Sequence, residues 1–277
     1  MLVTMKELVQ DARKRNYGVG FFNAFNVEMA MGVISAAEKM NAPVMIGTAE
    51  VLLPACDMEL AFEVLSFAAR RAKVPVGLHL DHGYTPECVK KAIDLGYTSV
   101  MYDMSSASYE DNVAGLKEMA EYAHARGCSV EGELGHVVFD VTGDVGDIYT
   151  RPEDVEDFVS RTNVDALAIA IGTAHGVYKS APKLDLERLR AIRKVTDIGL
   201  VLHGGSGLSD DDFRNVVRDG IQKVNVYTDI SFAGTQAAHD MVKAGDKMIE
   251  HVSVAMREAI ERATMQKLKL FGCEGKA

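Results

Sequence analysis

Short apolar runs alternate with longer amphipathic stretches from one end of the chain to the other. The runs are 18–23 (GVGFFN), 44–49 (VMIGTA), 76–81 (VGLHLD), 99–103 (SVMYD), 129–135 (SVEGELG), 166–172 (ALAIAIG), 199–204 (GLVLHG) and 223–228 (KVNVYT). Each is short, apolar and of strand type, which predicts eight strands. The stretches between them have helical spacing. In 28–40, Met29, Val33, Ala36 and Ala37 share a face, and 59–73 places Ala61, Leu65, Phe67 and Ala68 towards a core. Stretches 87–95, 112–126, 154–161, 185–194 and 210–220 read likewise. Thr85-Pro86-Glu87 and Ser209-Asp210-Asp211 open helices, and Gly96, Gly127 and Gly220 follow helix ends.

Strands alternating with helices, with no break in composition, indicate a parallel sheet of βα units. Eight units predict one α/β domain over residues 1–277, a (β/α)8 TIM barrel. An open doubly wound sheet is the competing architecture. It commonly carries a GxGxxG turn after its first strand, and none stands here. The stretch 249–270 follows the eighth strand as an additional C-terminal helix.

Composition narrows the function. The chain has 277 residues, 30 Lys+Arg and 40 Asp+Glu, a formal net charge of −10. That balance argues against a nucleic-acid surface. It leaves room for a small anion held by one local positive site. Cys56, Cys88, Cys128 and Cys273 form no CxxC pair and read as free thiols of a reducing compartment. The N-terminus lacks the order of a signal peptide, and no apolar run reaches the ~20 residues of a membrane span. The expectation is a cytoplasmic protein with no membrane partner.

In such a barrel the chemistry stands at the C-terminal strand ends. There the sequence places Asp81-His82-Gly83, Asp103, Glu131 and Glu133, His175-Gly176, His203-Gly204-Gly205-Ser206-Gly207 and Asn225 to Asp229. Three neutral imidazoles with an open position suit a catalytic zinc ion. Glu131 and Glu133 point to one side of their strand and need a partner, either a metal or a buried Lys or Arg. Glycines at 176 and 204–207, with Ser206, Thr228 and Lys179, suit an anion such as phosphate. No Lys stands within a strand except Lys223, at the start of the eighth and away from the mouth, which disfavours a Schiff-base reaction.

The set Asp81-His82-Gly83, Gly172-Thr173-Ala174-His175-Gly176-Val177-Tyr178, Leu202-His203-Gly204-Gly205-Ser206-Gly207 and Asn225-Val226-Tyr227-Thr228 resembles the class II, zinc-dependent ketose-bisphosphate aldolases, of fructose- and tagatose-bisphosphate type. The resemblance runs from Phe22 to the C-terminus. It implies His82, His175 and His203 as zinc ligands, with Asp103 and Glu133 as ligands of an alternative or second metal. It implies Asp81 as the acid/base at the C4 oxygen. Gly176, Gly204, Gly205, Ser206, Asn225, Val226, Tyr227, Thr228 and Lys179 would hold the phosphate and backbone of dihydroxyacetone phosphate. One Zn2+ per subunit is the implied cofactor, with a monovalent cation beside it, in a homodimer or homotetramer built through 249–270.

Four departures bear on the substrate. The family's mobile loop with paired acidic residues after Glu-Leu-Gly is replaced by 136–148, where Asp140, Asp144 and Asp147 are the carboxylates. Tyr227 stands where fructose-type enzymes carry Asp. Ala49 stands where a Ser helps hold the distal phosphate. The Asp-Pro-Arg segment before the last helix is absent, and Ser231 replaces an Arg. The last two predict a ketose 1-phosphate, cleaved to dihydroxyacetone phosphate and an unphosphorylated aldehyde. The competing reading is a fructose- or tagatose-1,6-bisphosphate aldolase using other cations, such as Lys247 or Arg257. A metal-dependent barrel hydrolase and a non-catalytic sugar-phosphate-binding barrel are the alternatives of other classes.

Overall fold

A computed structural model describes residues 1–137, 149–174, 176 and 182–277. Its eight principal strands are β1 (Val19–Asn23), β2 (Val44–Ala49), β3 (Val76–Gly83), β4 (Ser99–Tyr102), β5 (Ser129–Leu134), β6 (Ala166–Ile169), β7 (Gly199–Leu202) and β8 (Lys223–Val226). Each pairs in parallel with the next, and β8 returns to β1, so the sheet closes into a barrel. Every residue of β1 to β8 is buried. Closure leaves no sheet edge and puts one side of each strand inside the barrel and the other under the helices. The expected barrel is the observed one. A two-residue strand, Leu2–Val3, adds to the start of β3.

Ten α-helices lie among the described residues: α1 (Met5–Arg15), α2 (Val27–Lys39), α3 (Met58–Arg71), α4 (Pro86–Leu95), α5 (Tyr109–His124), α6 (Pro152–Thr162), α7 (Leu186–Val195), α8 (Asp210–Asp219), α9 (Thr228–Lys243) and α10 (Ile249–Leu270). The hydrophobic pattern did not single out α1 or α9. Helix α1 starts at a capping box in which Thr4 and Glu7 satisfy each other's backbone N–H. It buries Met5, Leu8, Val9 and Ala12, one helical stripe, with Leu8 and Val9 against Gly77 and Gly199. Lys6 N–H donates to Ser129 Oγ (3.3 Å). All three partners stand at or near strand starts, so α1 covers the N-terminal end of the barrel. Helix α10 packs on α9 and α2 and links the last βα unit to the first.

The site end owes its shape to an irregularity in β3. Its register with β4 runs His79 to Ser99 and Leu80 to Val100, then jumps to Gly83 opposite Tyr102. Three steps on β3 match two on β4, so one extra residue is inserted, a β-bulge. His82 occupies it with a φ of 38°, in the left-handed region. Strict alternation would send Asp81 inward and His82 outward. The bulge lets both face the barrel mouth.

Candidate active site

Asp81 sits 4% exposed at the mouth. Asn23 Nδ2 donates to its Oδ2 (2.7 Å) and Asn225 Nδ2 to its Oδ1 (2.9 Å). Burial raises this carboxyl, but His82, His203, Lys223 and the Asn23 amide outweigh it, and the net shift is downward. The group is therefore a carboxylate held at both oxygens.

His82 and His203 face each other, Nε2 to Nδ1, at 2.8 Å. Their outer nitrogens each meet a carboxylate: His82 Nδ1 with Asp103 Oδ2 (2.8 Å) and His203 Nε2 with Glu131 Oε1 (2.7 Å). Carboxylates on the outer nitrogens fix the tautomers and aim the inner nitrogens at a common point, the arrangement of metal-ligating histidines. Burial lowers His82, but Asp81, Asp103 and Glu133 overcome it and lift it to about 9. His203 is held far below its ordinary range, by burial first and by the charge of His82 next.

Two groups of described residues have ligand atoms within 4.8 Å of one another: Asp81, His82 and His203, and His82, Asp103 and Glu133. Glu133 Oε2 is buried with no hydrogen bond, and burial, then Asp103, raises the carboxyl to about 8. Asn23 Oδ1 and Asn225 Oδ1 are also buried without partners. Unsatisfied acceptors around paired imidazoles fit a cation and a hydroxylated ligand. His175, Lys179, Asp140, Asp144 and Asp147 lie outside the described residues.

Glu131 resolves one open question. Its second oxygen takes Lys223 Nζ at 2.8 Å, so a buried lysine is its partner. Lys223 does begin β8, yet its side chain is wholly buried, with Nζ 3.4 Å from His79 Nε2 and 4.7 Å from the centre of the Phe21 ring. His79 Nδ1 meets Ser99 Oγ (2.9 Å). Toward solvent, Ser105 Oγ donates to Asp103 Oδ1 (2.6 Å) and meets His136 Nδ1 (2.8 Å). Polar groups thus run without a break from His136 at the mouth, through both histidines, to Ser99.

A cavity of about 260 Å³ opens beside Asp81 and His82. One wall comes from Gly176 after β6 and from β7, β8 and their loops: Gly204, Gly205, Ser206, Asn225, Val226, Tyr227 and Thr228. Gly204 has a φ of 66°, and a Cβ there would stand 2.3 Å from the Ala174 carbonyl oxygen. Gly205 lines the cavity, and its N–H donates to the Asn225 carbonyl (3.1 Å). Ser206 Oγ accepts from the N–H groups of Tyr227 and Asp229 (3.3 Å each), which leaves its own hydrogen to point outward. Helix α9 starts at Thr228 and presents its N-terminus to this wall.

The opposite wall, from the ends of β2 and β3, is Ala49, Val51, Leu52 and Tyr84. No Lys or Arg lines the cavity among the described residues. The motifs did not mark Asn23 or Tyr84 as site residues. Asn23 was visible as the one amide ending an apolar run, and Tyr84 as the residue after Asp81-His82-Gly83.

Residues 3–276 match the family described as fructose-bisphosphate aldolase class-II. A closed parallel barrel with its polar groups at the strand ends agrees with that match, and the chain belongs to the class II aldolase family. It is 37% identical to the protein YdjI of Escherichia coli K12, described as uncharacterized, over 100% of both chains. It is 38% identical to a fructose-bisphosphate aldolase of Geobacillus stearothermophilus, over 100% of this chain and 99% of the other. The crystal structure of the YdjI aldolase matches with a TM-score of 0.90 at 35% identity, again over 100% of both.

Proposed function

We propose that this aldolase carries out the zinc-dependent, reversible cleavage of a ketose 1-phosphate to dihydroxyacetone phosphate and an unphosphorylated aldehyde. The observation that carries this reading is the far wall of the cavity, where Ala49, Val51, Leu52 and Tyr84 offer a terminal phosphate no cation. Phosphate recognition in a water-poor site relies on Arg, Lys or clustered N–H donors.

His82 and His203 would hold the zinc, with His175 as third ligand, and Asp103 and Glu133 would serve an alternative or second metal. Zinc supplies a Lewis acid that polarises the substrate carbonyl and stabilises the charge left when the carbon–carbon bond breaks. Asp81, fixed between two amides, takes the C4 hydroxyl proton in cleavage and returns it in condensation. Its lowered pKa keeps it ionised and ready to accept. The wall of Gly176, Gly204, Ser206, Asn225, Val226, Tyr227 and Thr228 would hold the phosphate and backbone of dihydroxyacetone phosphate, with the α9 N-terminus adding positive potential and Lys179 a charge.

Likeness to the Geobacillus stearothermophilus enzyme favours a second reading, cleavage of a 1,6-bisphosphate to glyceraldehyde 3-phosphate. Retro-aldol assays on fructose and tagatose 1,6-bisphosphates and on the matching 1-phosphates separate the two. The expected result is a kcat/KM at least ~10-fold higher for one of the 1-phosphates, the effect of losing one charge-assisted contact to a phosphate. A comparable preference for either bisphosphate would overturn the first reading.

A further inference from the structure

The far wall of the cavity is built. Glu50, in the turn after β2, accepts hydrogen bonds from Tyr84 N–H (2.6 Å), Thr85 N–H (3.2 Å) and Thr85 Oγ1 (2.9 Å). Three bonds to one carboxylate hold the backbone after β3, from which Tyr84, 42% exposed, projects its ring. That ring lies near-parallel to His82, at 20° with centroids 6.0 Å apart. Tyr84 lines the cavity, and its hydroxyl makes no hydrogen bond with any described residue. Burial, then Asp103, Asp81, Glu133 and Glu50, pushes the phenol well above its ordinary range. It is therefore a neutral phenol whose proton no described residue takes up.

A sugar phosphate with its phosphate against β7 and β8 extends its far half toward this wall, the remaining side of the cavity. There it meets apolar surface from Val51 and Leu52, the Tyr84 hydroxyl, and the negative charge of Glu50 close behind. A phosphate would be repelled by Glu50 and would meet no Lys or Arg of the described lining. A neutral sugar hydroxyl would find a donor already in place.

We propose that Tyr84 determines specificity in the aldehyde half, donating a hydrogen bond to a hydroxyl of an unphosphorylated hydroxyaldehyde. This rests on the aldolase reading above, in which the aldehyde product carries no phosphate. A site built to bond a substrate hydroxyl discriminates against the analogue lacking it.

The test is condensation by the zinc-loaded enzyme, with dihydroxyacetone phosphate saturating, on glycolaldehyde, glyceraldehyde, acetaldehyde and glyceraldehyde 3-phosphate. Tyr84→Phe removes the hydroxyl and keeps the ring. It should lower kcat/KM for glycolaldehyde and glyceraldehyde about 10-fold, mainly through KM, the worth of one hydrogen bond. The value for acetaldehyde should change less than about 2-fold, well inside that range. An equal fall for all aldehydes would overturn the proposal and make Tyr84 a support for His82. No fall for either hydroxyaldehyde would overturn it as well. Wild-type preference for glyceraldehyde 3-phosphate over glyceraldehyde would instead overturn the substrate reading. The glycolaldehyde-to-acetaldehyde comparison contains no aldehyde phosphate and tests Tyr84 whichever way that falls.

Discussion

In the proposed reaction, neighbouring residues at the mouth have opposite tasks. His82 and His203 would present nitrogens to a cation, while Asp81, one residue before His82 and held by two amides, would handle protons. Replacing each group separates the two jobs. His203→Ala should abolish both zinc retention, read by metal analysis after dialysis, and cleavage. Asp81→Ala should retain zinc and lose at least ~100-fold in kcat, the usual worth of a positioned acid/base. Retention of full cleavage by Asp81→Ala would exclude that role. The sequence read Asp81, His82 and His203 as chemistry because polar groups at strand ends of a barrel have no structural need to be there. It could not show that Glu131 meets Lys223, since the two are 92 positions apart and nothing local links them.

At the scale of elements, the strands were legible and two helices were not. Apolar runs closed by Gly or Asp mark a strand buried on both faces wherever they occur, and all eight barrel strands lie within or overlap the expected runs. Helix α9 buries only Ile230 and Gly234, the latter against Ile260 of α10, so no apolar stripe reveals it. Helix α1 did have its stripe and its Thr4–Glu7 cap, but it precedes the first strand and belongs to no βα unit. The β3 bulge leaves no trace in hydropathy. Close strand contact beside it gives a prediction: a Cβ on Gly47 would stand 1.7 Å from the His79 carbonyl oxygen. Gly47→Ala must therefore push β2 and β3 apart, at a cost of about 3 kcal/mol, the upper end for overpacking. Urea unfolding would read the loss, and an unchanged midpoint would show that the strands can yield there.

Across the whole molecule, closure depends on backbone pairing and on an apolar core apart from the candidate metal ligands. Chelation should abolish cleavage while leaving one cooperative thermal transition, its midpoint lowered only by the binding energy withdrawn. Circular dichroism melts before and after chelation would show this, and loss of the transition would make the metal part of the fold. No helix among the described residues is long and apolar enough to cross a membrane. The continuous polar path from His136 through His82, His203, Glu131 and Lys223 to Ser99 has a consequence for engineering. Grafting the mouth loops onto another barrel would carry over much of the phosphate-side wall and the Glu50–Tyr84 clamp. The supports of His203 would stay behind, because Glu131 and Lys223 belong to the strands. This active site is rooted in the barrel, and a recipient scaffold would need that root rebuilt in its own interior before the transplanted surface could work.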